Sequence, residues 1–141
     1  MSKDIQLIYL SDMVPGLEHE LPAILTTSVR RNAQDGITGM LLYSGGNILQ
    51  VLEGSEEVVR ATYDRIGKDP RHRNIVLLSD DEISERSFGG WSMGFKQLDP
   101  EVAKRFPDYA PYFHVGLQRD AIQAKPGVAK DLLQFFAQKG R

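Results

Sequence analysis

A glutamine stands in the middle of an apolar run, Asn47-Ile48-Leu49-Gln50-Val51-Leu52-Glu53-Gly54. A buried amide left unpaired costs about 1–3 kcal/mol. Its oxygen and its NH2 group both need partners. Two readings are open: a glutamine satisfied by a neighbouring side chain, water or an exposed face, or one that contacts a polar ligand. Other residues also break the apolar pattern: Tyr9 and Ser11 in an earlier run, Asn32 on a helical stripe, and Trp91 or Met93 further on. Tyr9 and Gln50 are each central in their runs, so neighbouring strands facing the same way bring phenol and amide together. Asn32 arrives from the helix above. These donors and acceptors face an apolar slot between Ile24 and Ile66, which suits a flat heteroaromatic ligand with polar edges. No catalytic set accompanies them. No serine or aspartate is paired with a well-placed histidine, and His19, His72 and His114 have no metal-ligand spacing.

The bulk properties narrow the choice. The chain has 141 residues, 41% hydrophobic and 26% charged, which suits one soluble domain. A net charge of -2 points to neither nucleic acid nor an anionic membrane. There are no cysteines, hence no disulfide, thiolate metal site or thiol nucleophile. The apolar run Ile5 to Leu10 is too short for a signal segment, and nothing approaches a membrane span, so a cytoplasmic protein is expected.

The elements that must position these residues follow from pattern. Ile5–Ser11 is nearly continuously apolar and reads as a strand buried on both faces. Pro22 fits the first turn of a helix, and Leu21, Ile24, Leu25, Ser28 and Asn32 share one of its faces. Asn32 can cap that helix end or point an amide inward. Asp35-Gly36 ends it. Ile37–Tyr43 is a second strand, joined by Ser44-Gly45-Gly46 to the Gln50 strand as an antiparallel hairpin. Ser55 suits an N-cap, and Val58, Val59, Thr62 and Ile66 form the inner stripe of a second helix. Arg71-His72-Arg73 is expected in a loop, either solvated or holding a phosphate or ribityl group. Ile75–Ser79 is a fourth strand, followed by a solvated acidic loop, Asp80-Asp81-Glu82. Trp91–Phe95 is a fifth, with Trp91, Met93 and Phe95 on one face.

Strand, helix, strand, strand, helix, strand matches the split βαβ pattern, so an α+β, ferredoxin-like, five-stranded mixed sheet with two helices on one face is expected. Residues 98–141 are an attached extension of the same unit as residues 1–97. They hold a short helix at Glu101–Arg105 and a last helix begun by Pro126, with Val128, Leu132, Phe135 and Phe136 inward. These helices are expected on the opposite sheet face or against a partner chain. An acylphosphatase-like hydrolase would need an arginine in a phosphate-cradling loop after the first strand, and Asp12-Met13-Val14-Pro15-Gly16 has none. A light-independent regulatory module that binds a small molecule stays open.

The segments Ile8-Tyr9-x-Ser11, Arg31-Asn32 through Gly36-Ile37-Thr38-Gly39-Met40-Leu41, Leu49–Gly54, Asp69-Pro70-Arg71-His72 and Trp91-Ser92-Met93 occur in the order and spacing of the BLUF family. Over about residues 5 to 97 the chain resembles these flavin-binding blue-light sensors, and its tail resembles the two-helix extension of the short members. The resemblance implies a non-enzymatic photoreceptor that binds FAD non-covalently, with FMN or riboflavin as alternatives. It implies that Ile24 and Ile66 flank the ring, and that Asn32, with Ser28 and Arg31 near it, meets the ring's carbonyl edge. It places Arg65, Asp69, Arg71 and His72 at the ribityl and phosphate end. It makes Tyr9 the electron and proton donor, Gln50 the switching amide, Ser11 a support, and Trp91 or Met93 the start of the output path. A downstream protein partner and a homo-oligomer are expected.

Overall fold

Apolar residues at both phases of the central strands force the sheet into the middle of the molecule, because each strand must be covered on two sides. The computed structural model describes residues 3–114 and 116–139. Its strands are β1 (Asp4–Met13), β2 (Thr38–Ser44), β3 (Asn47–Ser55), β4 (His72–Ile83) and β5 (Gly94–Gln97). They lie in the order β4-β1-β3-β2-β5. Only β2 and β5 run parallel; the other pairs are antiparallel. The first four strands and the helices between them make the ferredoxin-like unit.

Helices α1 (Leu21–Asp35) and α2 (Glu56–Gly67) cover one face. Ile5, Leu7, Tyr9, Leu41 and Leu52 point toward them, joined by Met93. The alternate residues Ile8, Leu10, Met40, Leu42, Leu49 and Val51 point the other way. They are covered by the tail, through Leu117, Ile122, Leu132 and Phe136 among others. The tail helices are α3 (Pro100–Ala103), α4 (Arg119–Ala124) and α5 (Gly127–Lys139). Phe106 meets the Phe135 and Phe136 rings edge-on, with centroids at 5.1 and 5.7 Å. Such aromatic pairs add about 0.5–1.5 kcal/mol beyond the area they bury.

The β2–β3 hairpin sets the register of the site. Gly45 and Gly46 both have positive φ, 56° and 92°. That twist suits a two-residue hairpin turn, and glycine takes it without strain. From this turn Leu41 falls opposite Gln50, and on the other side of β3 Tyr9 falls opposite Gln50.

Several expectations need correction. His72, Arg73 and the acidic triplet Asp80-Asp81-Glu82 belong to β4, which is longer than its apolar part. β4 pairs only with β1 among the described residues, and the register shifts between Ile8 and Tyr9 and between Leu10 and Asp12. As an edge strand with bulges, it tolerates charges that blur the two-residue period. β5 begins at Gly94, so Trp91 and Met93 precede it. They do not share a face: Met93 packs in the Tyr9 cluster and Trp91 against the opposite one. Ser55 makes no side-chain cap, whereas Asp99 accepts from the Glu101 N–H at 2.9 Å. The short helix is Pro100–Ala103 and not Glu101–Arg105, and α4 had no counterpart in the sequence reading. Among the described residues no helix is long and apolar enough to cross a membrane.

Candidate functional site

The site lies where α1 and α2 stand over the middle of the sheet. Their lower turns leave a cavity of about 550 Å3. That volume is within the range of small-molecule and cofactor pockets, about 300–1,000 Å3. Ile24 and Ile66 supply walls from the two helices, and Leu52 and Gln50 supply floor from β3. Helical spacing explains the α1 wall: Ile24, Ser28 and Asn32 recur every four residues. All three line the cavity, with Arg31 beside them.

Tyr9 and Gln50 are neighbours on adjacent strands, each 2–3% exposed. The Tyr9 hydroxyl donates to Gln50 Oε1. Gln50 Nε2 donates to Met93 Sδ at 3.3 Å. The buried amide of β3 is therefore satisfied on both sides by side chains, and it also forms part of the cavity wall. Burial pushes the Tyr9 phenol well up, with Tyr63 and Asp69 adding to the effect. The phenol is held neutral, and its hydrogen points at one acceptor. Tyr63 lies against its ring, with centroids 5.5 Å apart.

Asn32 is 2% exposed. Its Nδ2 donates to the Ser92 carbonyl at 3.1 Å, while its backbone carbonyl takes the helix-ending bond from Gly36. The side chain thus points inward and links α1 to the segment just before β5. Gly39 closes the same corner. Its N–H donates to the Trp91 carbonyl at 3.1 Å. A Cβ there would run into the Val51 carbonyl and come within 3.2 Å of the Met93 methyl.

The mouth of the cavity is basic. Arg31, Arg65, Lys68 and Arg71 line it against one acid, Asp69. Arg71 is already engaged: its Nη2 and Nε donate to the Asp69 carboxylate at 2.6 and 2.9 Å. That bonding outweighs burial and holds the Asp69 carboxyl below its usual range. Arg31, Arg65 and Lys68 are exposed at the rim, where charge attracts an anionic group.

Nine expected residues therefore meet in one cavity: Ile24, Ser28, Arg31, Asn32, Gln50, Arg65, Ile66, Asp69 and Arg71. His72 does not line it. Its Nε2 meets the Ile66 carbonyl at 2.6 Å and its Nδ1 meets Ser11 Oγ at 3.0 Å. A carbonyl only accepts, so Nε2 carries the hydrogen and Ser11 donates to Nδ1 in the neutral ring. Ser11 is fully buried and supports His72 rather than the cavity. Trp91 packs on Phe88, centroids 6.2 Å apart, away from the cavity. Thr27, Leu52, Thr62, Lys68 and Pro70 complete the lining and were not anticipated. Thr62, one turn before Ile66, was expected on the inner stripe of α2 but not as part of a cavity lining. An aliphatic slot, amide edges and a cationic rim fit a flavin carrying a phosphate.

The chain is similar to known proteins over the part that holds the cavity. Residues 5–94 match the family model "BLUF: Sensors of blue-light using FAD". The chain is 43% identical over 86 residues to the blue light- and temperature-regulated antirepressor BluF of Escherichia coli K12, covering 61% of this chain and 21% of that protein. It is 41% identical over 103 residues to the photoactivated adenylate cyclase subunit beta of Euglena longa, covering 72% of this chain and 12% of that protein. The chain thus spans a small part of these curated relatives. Among solved structures, the dark state of BlrB, a BLUF protein, superposes with a TM-score of 0.78 at 26% identity, covering 99% of this chain and 98% of that one. The photo-activated state of BlsA gives 0.68 at 35% identity, over 74% of this chain and 77% of that one.

Proposed function

This chain belongs to the BLUF family of blue-light sensors using FAD, and we propose that Tyr9 and Gln50 are its photoactive pair. The observation that carries the proposal is the buried bond from the Tyr9 hydroxyl to Gln50 Oε1, which joins a tyrosine behind the cavity lining to a glutamine within it. A bound flavin supplies the absorption of blue light and, once excited, a one-electron oxidant. The Tyr9 phenol, kept protonated by burial, is the side chain positioned to give up an electron. A phenol that loses an electron becomes a strong acid, so its proton moves to the atom it already faces, Gln50 Oε1. An amide that gains this proton, or rotates, exchanges its donor and acceptor sides. When electron and proton return to Tyr9, Gln50 is left in a different arrangement, and its bond to Met93 Sδ is changed with it. A flavin held against Gln50 would then meet a changed donor and acceptor edge, and its absorption would shift slightly to the red.

Ile24 and Ile66 wall the ring site and Asn32 serves its polar edge. Arg31, Arg65 and Lys68 attract the phosphate end, and Asp69 fixes Arg71. Ser11 and His72 brace the junction of β1, β4 and the end of α2. The output leaves through Met93 and Ser92 toward Trp91 and the tail, which acts as one unit with residues 1–97. A protein partner or a second copy of the chain receives it in the cytoplasm. The chain is read as a sensor without a reaction of its own.

The test is absorption of the purified protein, dark and after blue light. The wild type is expected to show a flavin spectrum that shifts red and recovers. Tyr9→Phe and Gln50→Leu are expected to keep the flavin and lose the shift. A normal photocycle in Tyr9→Phe refutes the donor role, and an unaltered shift in Gln50→Leu refutes the switch.

A further inference from the structure

Glu53 lies three residues beyond Gln50 on the same strand and points to the opposite sheet face. It is fully buried. Three donors converge on its carboxylate: Gln6 Nε2 at 2.7 Å and the Ser87 N–H at 3.0 Å on Oε2, and the Phe88 N–H at 2.8 Å on Oε1. Among the described residues it makes no ion pair. A buried carboxylate held by N–H groups alone suits this place because it is acceptor-only. A glutamine would turn an NH2 toward one of the N–H donors.

The segment it grips leads to the switch. The Trp91 N–H returns to the Phe88 carbonyl at 3.3 Å. Phe88 is 2% exposed and fixes the near end in the core. At the far end, the Trp91 carbonyl is held by Gly39, the Ser92 carbonyl by Asn32, and the Met93 sulfur by Gln50. One end therefore answers to an amide that changes, and the other to a carboxylate that does not. The side chain of Arg86 adds to the fixed end by donating to the Gly36 carbonyl at 2.7 Å.

We propose that Glu53 is a positioning residue that anchors Ser87 and Phe88, so that a change at Gln50 displaces only the Trp91–Met93 end. The inference rests on the photoactive role of Gln50 given above. Without the anchor, the whole segment loosens, and its position no longer depends on the state of Gln50.

Trp91 is the single tryptophan in the chain, so its emission reports this segment alone. The experiment compares the flavin-loaded full chain with Glu53→Gln, in the dark and under blue light. Three quantities are read: flavin absorption, Trp91 emission, and amide exchange at Ser87 and Phe88. In Glu53→Gln the flavin shift is expected at wild-type size, since Tyr9 and Gln50 are intact. Amide exchange at Phe88 is expected to rise about tenfold, the scale of one charge-assisted hydrogen bond. The light-minus-dark change in Trp91 emission is expected to fall about fivefold or more, because a segment that opens more often follows Gln50 less. A Glu53→Gln chain with the wild-type Trp91 response overturns the proposal. Where that variant fails to fold or load, wild-type exchange decides. Light is expected to alter exchange at Trp91–Met93 and leave Ser87 and Phe88 unchanged; a change at both ends alike overturns the anchor. A wild-type flavin spectrum that does not shift refutes instead the role of Gln50, while faster Phe88 exchange in Glu53→Gln still reports the clamp.

Discussion

Arg119 joins the tail to the sheet through the Asp12 carboxylate and the Asn74 carbonyl, and replacing it by methionine isolates that joint. Arg119 Nη1 donates to Asp12 Oδ1 at 2.9 Å, and Nη2 donates to the Asn74 carbonyl at 2.6 Å. The two charged side chains are 20% and 22% exposed, so solvent screens the pair only in part. Asp12 also accepts from Asn47 at 2.7 Å and Asn74 at 3.0 Å, so the variant does not strand a bare charge. Methionine keeps an apolar stem of similar length and removes two hydrogen bonds. The expected loss is about 1–2 kcal/mol. With a urea slope of about 1–3 kcal/mol per M, the midpoint should fall by roughly 0.3–2 M with the slope unchanged. The pH dependence gives a second check. Burial pushes the Asp12 carboxyl up, but the bonds from Asn74, Asn47 and Arg119 outweigh it and hold the carboxyl below its usual range. A carboxyl held down in the folded state contributes stability that is complete above its unfolded pKa of about 3.9 and is lost as pH falls through its folded value. The deficit of Arg119→Met should be full at neutral pH and shrink below about pH 4. Urea titrations at both pH values measure it. A variant equal to wild type at neutral pH, or a deficit that does not shrink in acid, refutes this account of the joint.

Other perturbations probe other layers. Phe136→Ala empties a fully enclosed ring site against Phe106 and Phe113 and should cost about 3–5 kcal/mol in thermal or chemical unfolding; a loss under 1 kcal/mol would mean that the tail adds little to the core. Gly39→Ala drives a methyl into the Val51 carbonyl and should destabilise by about 1–3 kcal/mol, with the red shift reduced because Met93 is displaced; unchanged spectra and melting would refute that packing. Lys68→Ala should weaken FMN and FAD in fluorescence titrations about five- to tenfold, on the scale of one charged contact, while riboflavin, which has no phosphate, binds as before. Equal weakening of all three would place Lys68 elsewhere than at a phosphate.

Much of the site was legible because few forces compete at its residues. Tyr9 and Gln50 interrupt apolar strands at matching positions, and hairpin geometry leaves little freedom in their register. Helical spacing put Ile24 and Ile66 on inward stripes, and left Asn32 between capping its helix and pointing inward. The segment from Arg86 to Met93 was not legible, since its course is set by distant anchors: Glu53, Asn32 and Gly39 all lie earlier in the chain. Met93 and Trp91 are two residues apart, and a strand would have put them on one face, but the chain there is irregular. Lys68 escaped notice because it follows the last turn of α2, where a basic residue reads as solvated. The Asp12–Arg119 pair spans 107 positions, and nothing local marks either residue.

The irregularity of β4 has a consequence for how the molecule behaves in a crowd. A twelve-residue edge strand offers a long row of unpaired N–H and C=O groups, the usual template for sheet-to-sheet growth. Two register shifts bend it out of plane, and Asn74 turns to a positive φ of 57° near its start. The acidic run Asp80-Asp81-Glu82 then charges its far half, so an identical edge approaching it meets its own repulsion. The only large apolar side chain that β4 leaves exposed is Leu77, in the stretch between those defences. A leucine or valine in place of Asp81 would keep the fold and remove the guard, and filament formation would then rise with concentration in a chain that still folds.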